Sequence, residues 1–529
     1  MRWRLPATVL LVSALLLPAA PPAHAAPAFA DLASHWAAAD VLFLAGQGIV
    51  QGFPDGTYRP EQPTSRGEFL ALLARQVGIA PLSEGPTPVA AVPTDHWAVP
   101  VLRAMAVAGV VRSSEGDPLD LDGAVTRREM ARWIVRAKGW DATPVDTWLT
   151  DVPGNPEAAA LAGAIAHGIF NGYPDRTFRP GGGATRAEVA AAVARLVDGR
   201  RRPAAWRQQF TVAVGSTRVD LRVVLVNLQR PGLTPRVVLG ADQVGGTESL
   251  ASMAGRTGAV AAINGTYFQA YDDSIPKEPY GTIVAGGQVV HVGSDRASLG
   301  FFGDGRVRID TISPTVRGTG ATGNWDTNWY AYGLNHHGRA GYGDNWAVVY
   351  TPAHGPDPGF AAGTFVTVRQ GVVTRIGSGA TAIPADGYLV SLGGSELSQL
   401  HAFSVGRPAA YSVNLGSGWQ GVQALLQVGP RLLAAGKPAL DLAAEGFTEA
   451  KITTLAWGRS AVATTGDGRL LLVTAAAATV QDLAVALARL GAQDALCMDS
   501  GASSGLYFGG GLVTEPGRNL SNALVFVQQ

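Results

Sequence analysis

Three short patches in the second half of this 529-residue chain hold side chains able to do chemistry. In Ala261–Phe268 (AAINGTYF) an apolar run delivers Asn264 to Gly265, and the aromatics Tyr267 and Phe268 follow. In Trp457–Ser460 (WGRS) Arg459 comes just before the apolar run Ala461–Ala463. In Met498–Ser504 (MDSGASS) a run with the look of a buried strand ends at Asp499, in a turn rich in glycine and serine. A carboxylate at a strand end beside flexible backbone is a usual catalytic placement. The bland reading of each stays open. Asp499 could cap its turn, Arg459 could sit in a structural ion pair, and Asn264 could take a left-handed turn before Gly265.

Other chemistries fit less well. Gly501–Gly505 (GASSG) matches the G-x-S-x-G nucleophile elbow, but that elbow must open a helix and here GLYFGGG follows. No Asp or His follows Ser503, and the last histidine is His401, so a Ser–Asp–His order is impossible. There is no H-E-x-x-H and no cysteine pair, and no cofactor is evident. His336 and His337 are adjacent, so they diverge rather than chelate and are expected at a surface or a pocket rim. A hard divalent cation held by carboxylates such as Asp272, Asp273 or Asp326 stays open, although no EF-hand pattern supports it. Cys497, the single cysteine, sits in Ala495–Met498 and reads as a small buried hydrophobe rather than a nucleophile.

These patches need a scaffold. The chain is 47% hydrophobic and only 16% charged, which demands packed cores, and its length asks for at least two domains. Lys and Arg balance Asp and Glu at 41 each, so the basic excess of a nucleic-acid binder is missing. From Phe210 on, the pattern alternates. Val212–Val214, Val219–Val226, Arg236–Leu239, Val260–Ile263, Thr282–Val284 and Phe365–Val368 read as strands. Val480–Leu490 reads as a helix with Val480, Leu483, Leu487 and Leu490 on one face. The second half is therefore expected to be α+β, with a mixed sheet, over residues 209–529. Residues 201–208, around DGRRRP, are expected to be a linker.

The first half is repetitive. Residues 29–198 contain one segment written three times, each with an apolar run, a turn and a second helix start. The turns include QGFPDGTYRP (Gln51–Pro60) and NGYPDRTFRP (Asn171–Pro180). The helix starts are S-R-G-E (Ser65–Glu68), T-R-R-E (Thr126–Glu129) and T-R-A-E (Thr185–Glu188), each a capping box. In the first unit Trp36, Ala37, Val41 and Leu44 fall on one face. Arg66, Arg127 and Arg186 have no role in capping. Their recurrence beside helix N-termini suggests anion capture, with solvated surface arginines the alternative. The unit boundaries are 27–88, 89–145 and 146–200. Residues 1–26 have a charged start, the apolar core Ala7–Leu17 and an A-x-A site (Ala23–Ala25), which reads as a secretory signal and an exported protein. No later run suggests a transmembrane helix, so attachment to the cell needs another device.

The repeats resemble S-layer homology (SLH) domains in Phe29-Ala30-Asp31, His35-Trp36, the G-I-V pairs, the P-D-G-T turns and the T-R-x-E starts. The resemblance implies an all-α, three-repeat prong that holds the protein non-covalently at the cell surface by binding secondary cell-wall polysaccharide. It places Asp31, Trp36, Gly48 and Arg66 in one groove, Gly109 with Arg127 in another, and Gly168 with Arg186 in a third. The second unit opens Asp95-His96-Trp97, which adds Trp97; the third lacks the His-Trp pair.

The second half resembles the phosphodiester glycosidases. The shared motifs are Ile263–Phe268, Pro279–Gly287, Leu299–Gly305, Tyr332–Asn335, Val348–Pro352, Gln427–Leu433, Gly458–Val462, Leu496–Ser504 and Gly517–Leu524, in order. This resemblance implies hydrolysis of a sugar-1-phosphodiester. Asp499 would be the base or nucleophile, Arg459 would bind phosphate and Asn264 would orient an oxygen. Gly265, Tyr267, Asn335, Gly501, Ser503, Ser504, Arg518 and Asn522 would complete the substrate site. Phosphate is a good leaving group, so a strong general acid is less necessary. One departure stands out: D-S-G-A-S-S replaces the family's D-G-G-G-S-S, which predicts a tighter or rebuilt backbone. That departure favours an alternative, a glycan-binding envelope protein without catalysis. A phosphodiesterase cutting the other side of the phosphate is a third reading.

Overall fold

The computed structural model describes residues 29–85, 92–112, 119–140, 148–152, 154, 157–272, 276–294, 296–337 and 343–529. The signal segment expected at 1–26 and the carboxylate Asp273 lie outside these residues. A helical region comes first and a sheet-rich region follows.

The helical region contains three pairs: α1 (Ala38–Gly46) with α2 (Arg66–Val77), α3 (Val99–Val107) with α4 (Arg127–Ala137), and α5 (Ala158–Ala166) with α6 (Arg186–Val197). α2, α4 and α6 each open on a complete capping box, from Ser65/Glu68, Thr126/Glu129 and Thr185/Glu188. Ala37, Val41 and Leu44 are fully buried, as their spacing predicts, but Trp36 lies ahead of α1 and is 61% exposed. Bridges Pro63–Thr185, Ser65–Ala124 and Thr126–Gly183 join the three α2-type starts into a ring.

The three arginines close this ring through carbonyl and carboxylate partners. Arg66 donates to the Glu129 carboxylate at 2.8 Å and to the Asp120 carbonyl at 3.2 Å. Arg127 donates to the Phe178 and Asn171 carbonyls and to Glu188. Arg186 donates to the Tyr58 and Gln51 carbonyls. Each arginine thus reaches the next pair, and the third returns to the first. A guanidinium has several N–H donors in a fixed fork, which suits it to orphan carbonyls at loop ends. A second set, Arg75, Arg136 and Arg195, ties each pair internally through the carbonyls of Ile49, Val110 and Ile169.

In the second half nearly every strand pairing is antiparallel; the exception is Gly333–Leu334 beside Trp346–Tyr350. The first strand, Ala205–Val214, begins inside the expected linker. A seven-stranded sheet runs 205–214, 217–227, 469–478, 457–465, 492–497, 431–434, 437–438. A five-stranded sheet runs 511–514, 506–508, 259–264, 522–528, 233–239, and a second one contains 422–427 and 296–302. Val224, Ile263, Leu299, Leu426, Leu472, Leu496 and Phe526 fill one core between the three. Residues 315–414 supply two further sheets. Among the described residues the α-helices here are α7 (Leu250–Thr257), α8 (Ala450–Thr453) and α9 (Val480–Arg489). α9 buries Val480, Leu483 and Leu487 against the seven-stranded sheet.

The two halves touch directly. Asp467 faces Arg469, Arg202 and His167, whose ring stacks on Trp140 at 3.8 Å between centroids. Gly168 has a positive φ, but the Trp206 indole covers it, so it faces the second half and not an open groove.

His336 and His337 are not a rim pair. Both converge on the buried Glu278 carboxylate, His336 through Nδ1 at 3.3 Å and His337 through its amide at 2.7 Å, and His354 joins at 3.1 Å. Burial opposes ionisation of Glu278, yet these donors outweigh it and hold its pKa at about 2. Burial pushes neighbouring His291 down to about 4. Two outcomes are expected. Glu278 is depressed from an ordinary 4.5, so it stabilises the fold above that pH, and the gain disappears as pH falls toward 2. His291 takes up protons more readily unfolded, so stability also declines from pH 6.5 toward 4. Melting curves across pH 2–8 should show both limbs, and E278Q should flatten the lower one. In the helical half, Arg127→Ala should cost about 3–5 kcal/mol in denaturant titrations, because it strands partly buried Glu188.

Candidate active site

The strand Ala492–Cys497 carries the chain through the core to Met498, which is fully buried, and then to Asp499. Cys497 is buried and free, as a small core hydrophobe would be. The turn after Asp499 bends at Gly501, with φ +70°, the one left-handed residue of Asp499–Ser504. A side chain on Gly501 would collide with the Trp457 indole. Ser500 is extended, with φ −118° and ψ −176°, and its hydroxyl turns back to the Met498 carbonyl at 3.0 Å. The one left-handed position of this turn is thus a glycine, and Ser500 stands where the backbone is extended and open to any residue.

Asn264 fastens the turn from the neighbouring sheet. Its amide nitrogen donates to the Asp499 carbonyl at 2.5 Å, and its oxygen accepts from Gly505 N at 3.0 Å. Asp499 N donates to the Gly265 carbonyl, and Gly265 N to the Asn522 carbonyl. The Asn522 amide oxygen accepts from Thr266 N at 2.9 Å, where any side chain on Gly265 would collide with it. Asn264 and Asn522 are 1% exposed and fully engaged. They hold the backbone around Asp499 and do not reach the cavity in front of it.

That cavity has a volume of about 440 Å³. Asp499, Ser503, Gly501, Tyr267 and Arg518 line it, together with Arg459. Burial drives the Asp499 pKa up to about 7, against the opposing pull of the Ser503 hydroxyl and the Arg518 and Lys451 cations. A carboxylate poised near neutrality can take or give a proton. Tyr267 is held by the Gly429 carbonyl at 3.0 Å, and burial raises its pKa well above the usual value.

The structure separates the remaining expected residues. Asn335 is fully buried in another sheet, bonded to Val290 O and Thr351 Oγ1, and is not part of this cavity. Ser504 is buried and does not line it either. Arg459 is 1% exposed. Its Nε donates to the Ala478 carbonyl, and its Nη2 to the carbonyls of Lys451 and Leu455. Two of its nitrogens are thus spent on backbone, which leaves no bidentate face for phosphate. Sequence reasoning missed Lys451, Tyr271 and Tyr280, which line the same cavity. No local pattern marks Lys451 or Tyr271; Tyr280 lay inside the motif Pro279–Gly287 without a role, and Trp457, also in the lining, was visible only as the neighbour of Arg459.

In the helical half, a groove of about 280 Å³ brings together Trp97, Arg186, Glu68, Arg75 and Tyr58. Residues from three helix pairs meet there, so the grouping of Arg66 with Trp36 and Gly48 within one unit does not hold. Asp31 instead accepts the amides of Tyr58 and Arg59 and fixes the turn. Gly48 and Gly109 have positive φ and open space around them.

A family model described as phosphodiester glycosidase matches residues 362–527, and one for the S-layer homology domain matches 28–70 and 149–190. The chain carries S-layer homology segments and a phosphodiester glycosidase domain. An amylopullulanase of Thermoanaerobacterium thermosulfurigenes is 29% identical over 185 residues, 32% of this chain and 9% of that protein. A cellulosome-anchoring protein of Acetivibrio thermocellus is 26% identical over 158 residues, 28% of this chain and 35% of that one. The chain therefore spans a minor part of these relatives' lengths. A solved hypothetical protein from Synechocystis superposes with a TM-score of 0.55 at 24% identity, covering 61% of this chain and 62% of its own, a likeness of fold alone. For the glycosidase domain, Asn264→Ala should leave Gly505 N unpaired and cost about 1–3 kcal/mol in denaturant titrations.

Proposed function

We propose that the second half hydrolyses the bond between a sugar's anomeric carbon and a phosphodiester. The observation that carries this reading is the Asp499 carboxylate, poised near pH 7 in a cavity edged by cations and aromatics. Ionised Asp499 takes a proton from water as the water oxygen bonds to the anomeric carbon. The carbon–oxygen bond to phosphate breaks, and its electron pair leaves with a phosphomonoester. The leaving group is already stabilised, so a single carboxylate is enough, and no second acid is assigned.

The helical half anchors this enzyme at the cell surface by non-covalent binding to secondary cell-wall polysaccharide, with the middle helix pair acting as a third SLH repeat. The exposure of Trp36 and Trp97, at 61% and 57%, supports this, as does the groove that joins Trp97 to Arg186. No helix among the described residues is long and apolar enough to cross a membrane.

Purified protein is expected to release free reducing sugar, together with UDP from UDP-N-acetylglucosamine or with an intact phosphomonoester from a simple sugar-1-phosphodiester. Asp499→Asn should abolish this with the fold unchanged. The wild-type kcat/KM should rise with pH through about 7, since the base must be ionised. Release of sugar-1-phosphate instead would mean cleavage on the other side, and turnover by Asp499→Asn would remove its role. Trp97→Ala should weaken binding to isolated cell walls by on the order of 2 kcal/mol, measured by co-sedimentation.

A further inference from the structure

The cavity needs a cation for its anionic substrate, and Arg459 is poorly placed to serve. What Arg459 does hold is a short segment of chain. Its Nη2 donates to the carbonyls of Lys451, at 2.9 Å, and Leu455, at 2.7 Å. These residues belong to α8 and the turn that leaves it, whose carbonyls have few partners of their own. Lys451 projects from this helix into the lining of the cavity. Its ammonium pairs with Glu449 at 2.8 Å, and both side chains are at least half exposed.

Across the cavity mouth stands Arg518, whose Nη2 donates to the Tyr271 hydroxyl at 3.2 Å. The Arg518 guanidinium lies over the Tyr271 ring at 4.9 Å, and Lys451 Nζ lies 5.7 Å from the same ring. Tyr271 is 76% exposed, so packing does not explain its position. Its ring thus meets two cations in the lining of a cavity that also holds the Asp499 carboxylate. Both cations act on Asp499 from a distance, each favouring its ionised form. Glu449 is the one acid beside them in this lining, and a bound anion would displace it from Lys451.

We propose that Lys451 and Arg518, set by Tyr271, form the phosphate site of this cavity, and that Arg459 is a positioning residue that acts through Lys451. The identity of the anion rests on the phosphodiester reading; the site itself does not. Cations at the mouth and a carboxylate on the floor give the substrate a direction. The sugar enters first, beside Trp457 and Asp499, and the phosphate with its second substituent stays at the rim. The site therefore suits a terminal sugar on a longer phosphodiester chain, because the remainder of the polymer can extend into solvent.

Binding is measured first, on the full chain, by calorimetry with N-acetylglucosamine-1-phosphate, inorganic phosphate and methyl glucuronide. K451M and R518Q are each expected to weaken sugar-phosphate binding about tenfold. R459Q should weaken it as well, but should add nothing in the K451M background, because non-additivity marks action through a shared group. In turnover, K451M and R518Q should raise KM for a phosphodiester and move the rising pH limb upward, since each removes a cation that keeps Asp499 ionised. Unchanged sugar-phosphate affinity in both single variants would overturn the site. Additive loss in R459Q/K451M would return the phosphate to Arg459. Tighter binding of methyl glucuronide than of the sugar phosphate would overturn phosphate as the anion. Sugar-phosphate binding that depends on Lys451 and Arg518, without any turnover, would retain the site and dismiss only the proposed reaction.

Discussion

The site depends on holding one carboxylate largely out of water, at the wall of a cavity, while the backbone around it stays tied to neighbouring strands. Asp499 ends a buried strand, and a strand end leaves amides and carbonyls that water cannot reach. Asn264 and Asn522 solve this from two strands far away in sequence, because a carboxamide can donate and accept at once. Gly265 lets the strands approach closely enough for these bonds to form. The same enclosure that satisfies the backbone strips water from the Asp499 carboxylate and raises its pKa. The structural knot and the chemical property therefore have one cause.

Arginine serves as structural glue throughout the chain. Arg66, Arg127, Arg186 and Arg459 all aim N–H groups at backbone carbonyls that no helix or sheet would otherwise satisfy. The guanidinium suits this task because its several donors diverge in one plane and it keeps its charge when buried. Exposure separates these arginines from cations free to meet a ligand. Arg459 is almost wholly enclosed, whereas the Lys451 side chain is 51% exposed at the cavity mouth. An arginine in the lining of the same cavity as Asp499 thus braces the neighbouring helix.

The helical half and the sheet-rich half share a junction as well as a chain. Trp206 lies on Gly168, and Asp467 is paired with Arg469 and Arg202 beside the Trp140–His167 stack. This partly buried carboxylate, shared by cations from both halves, ties the two together. The strand Ala205–Val214 starts almost where the last helix stops, so little slack remains between the helical half and the sheet-rich half.

Much could be read from local spacing. Capping boxes depend on residues three apart, so Ser65/Glu68 and its two counterparts were legible, and so was the amphipathic face of Val480–Leu487. Asp499 was legible as a polar residue ending an apolar run. The partners of the arginines were not, because Arg127 finds Phe178 and Arg459 finds Ala478 only after the chain has folded back. The meeting of Glu278 with His336 and His354, and of Tyr271 with Lys451 and Arg518, is likewise long-range. Sequence alone determined which segments fold as helix or strand and where a carboxylate is delivered, since those follow from periodicity and neighbouring residues. The tertiary structure decided which charged groups face substrate and which face backbone, because hydrogen-bond partners and burial are properties of chains brought together in space.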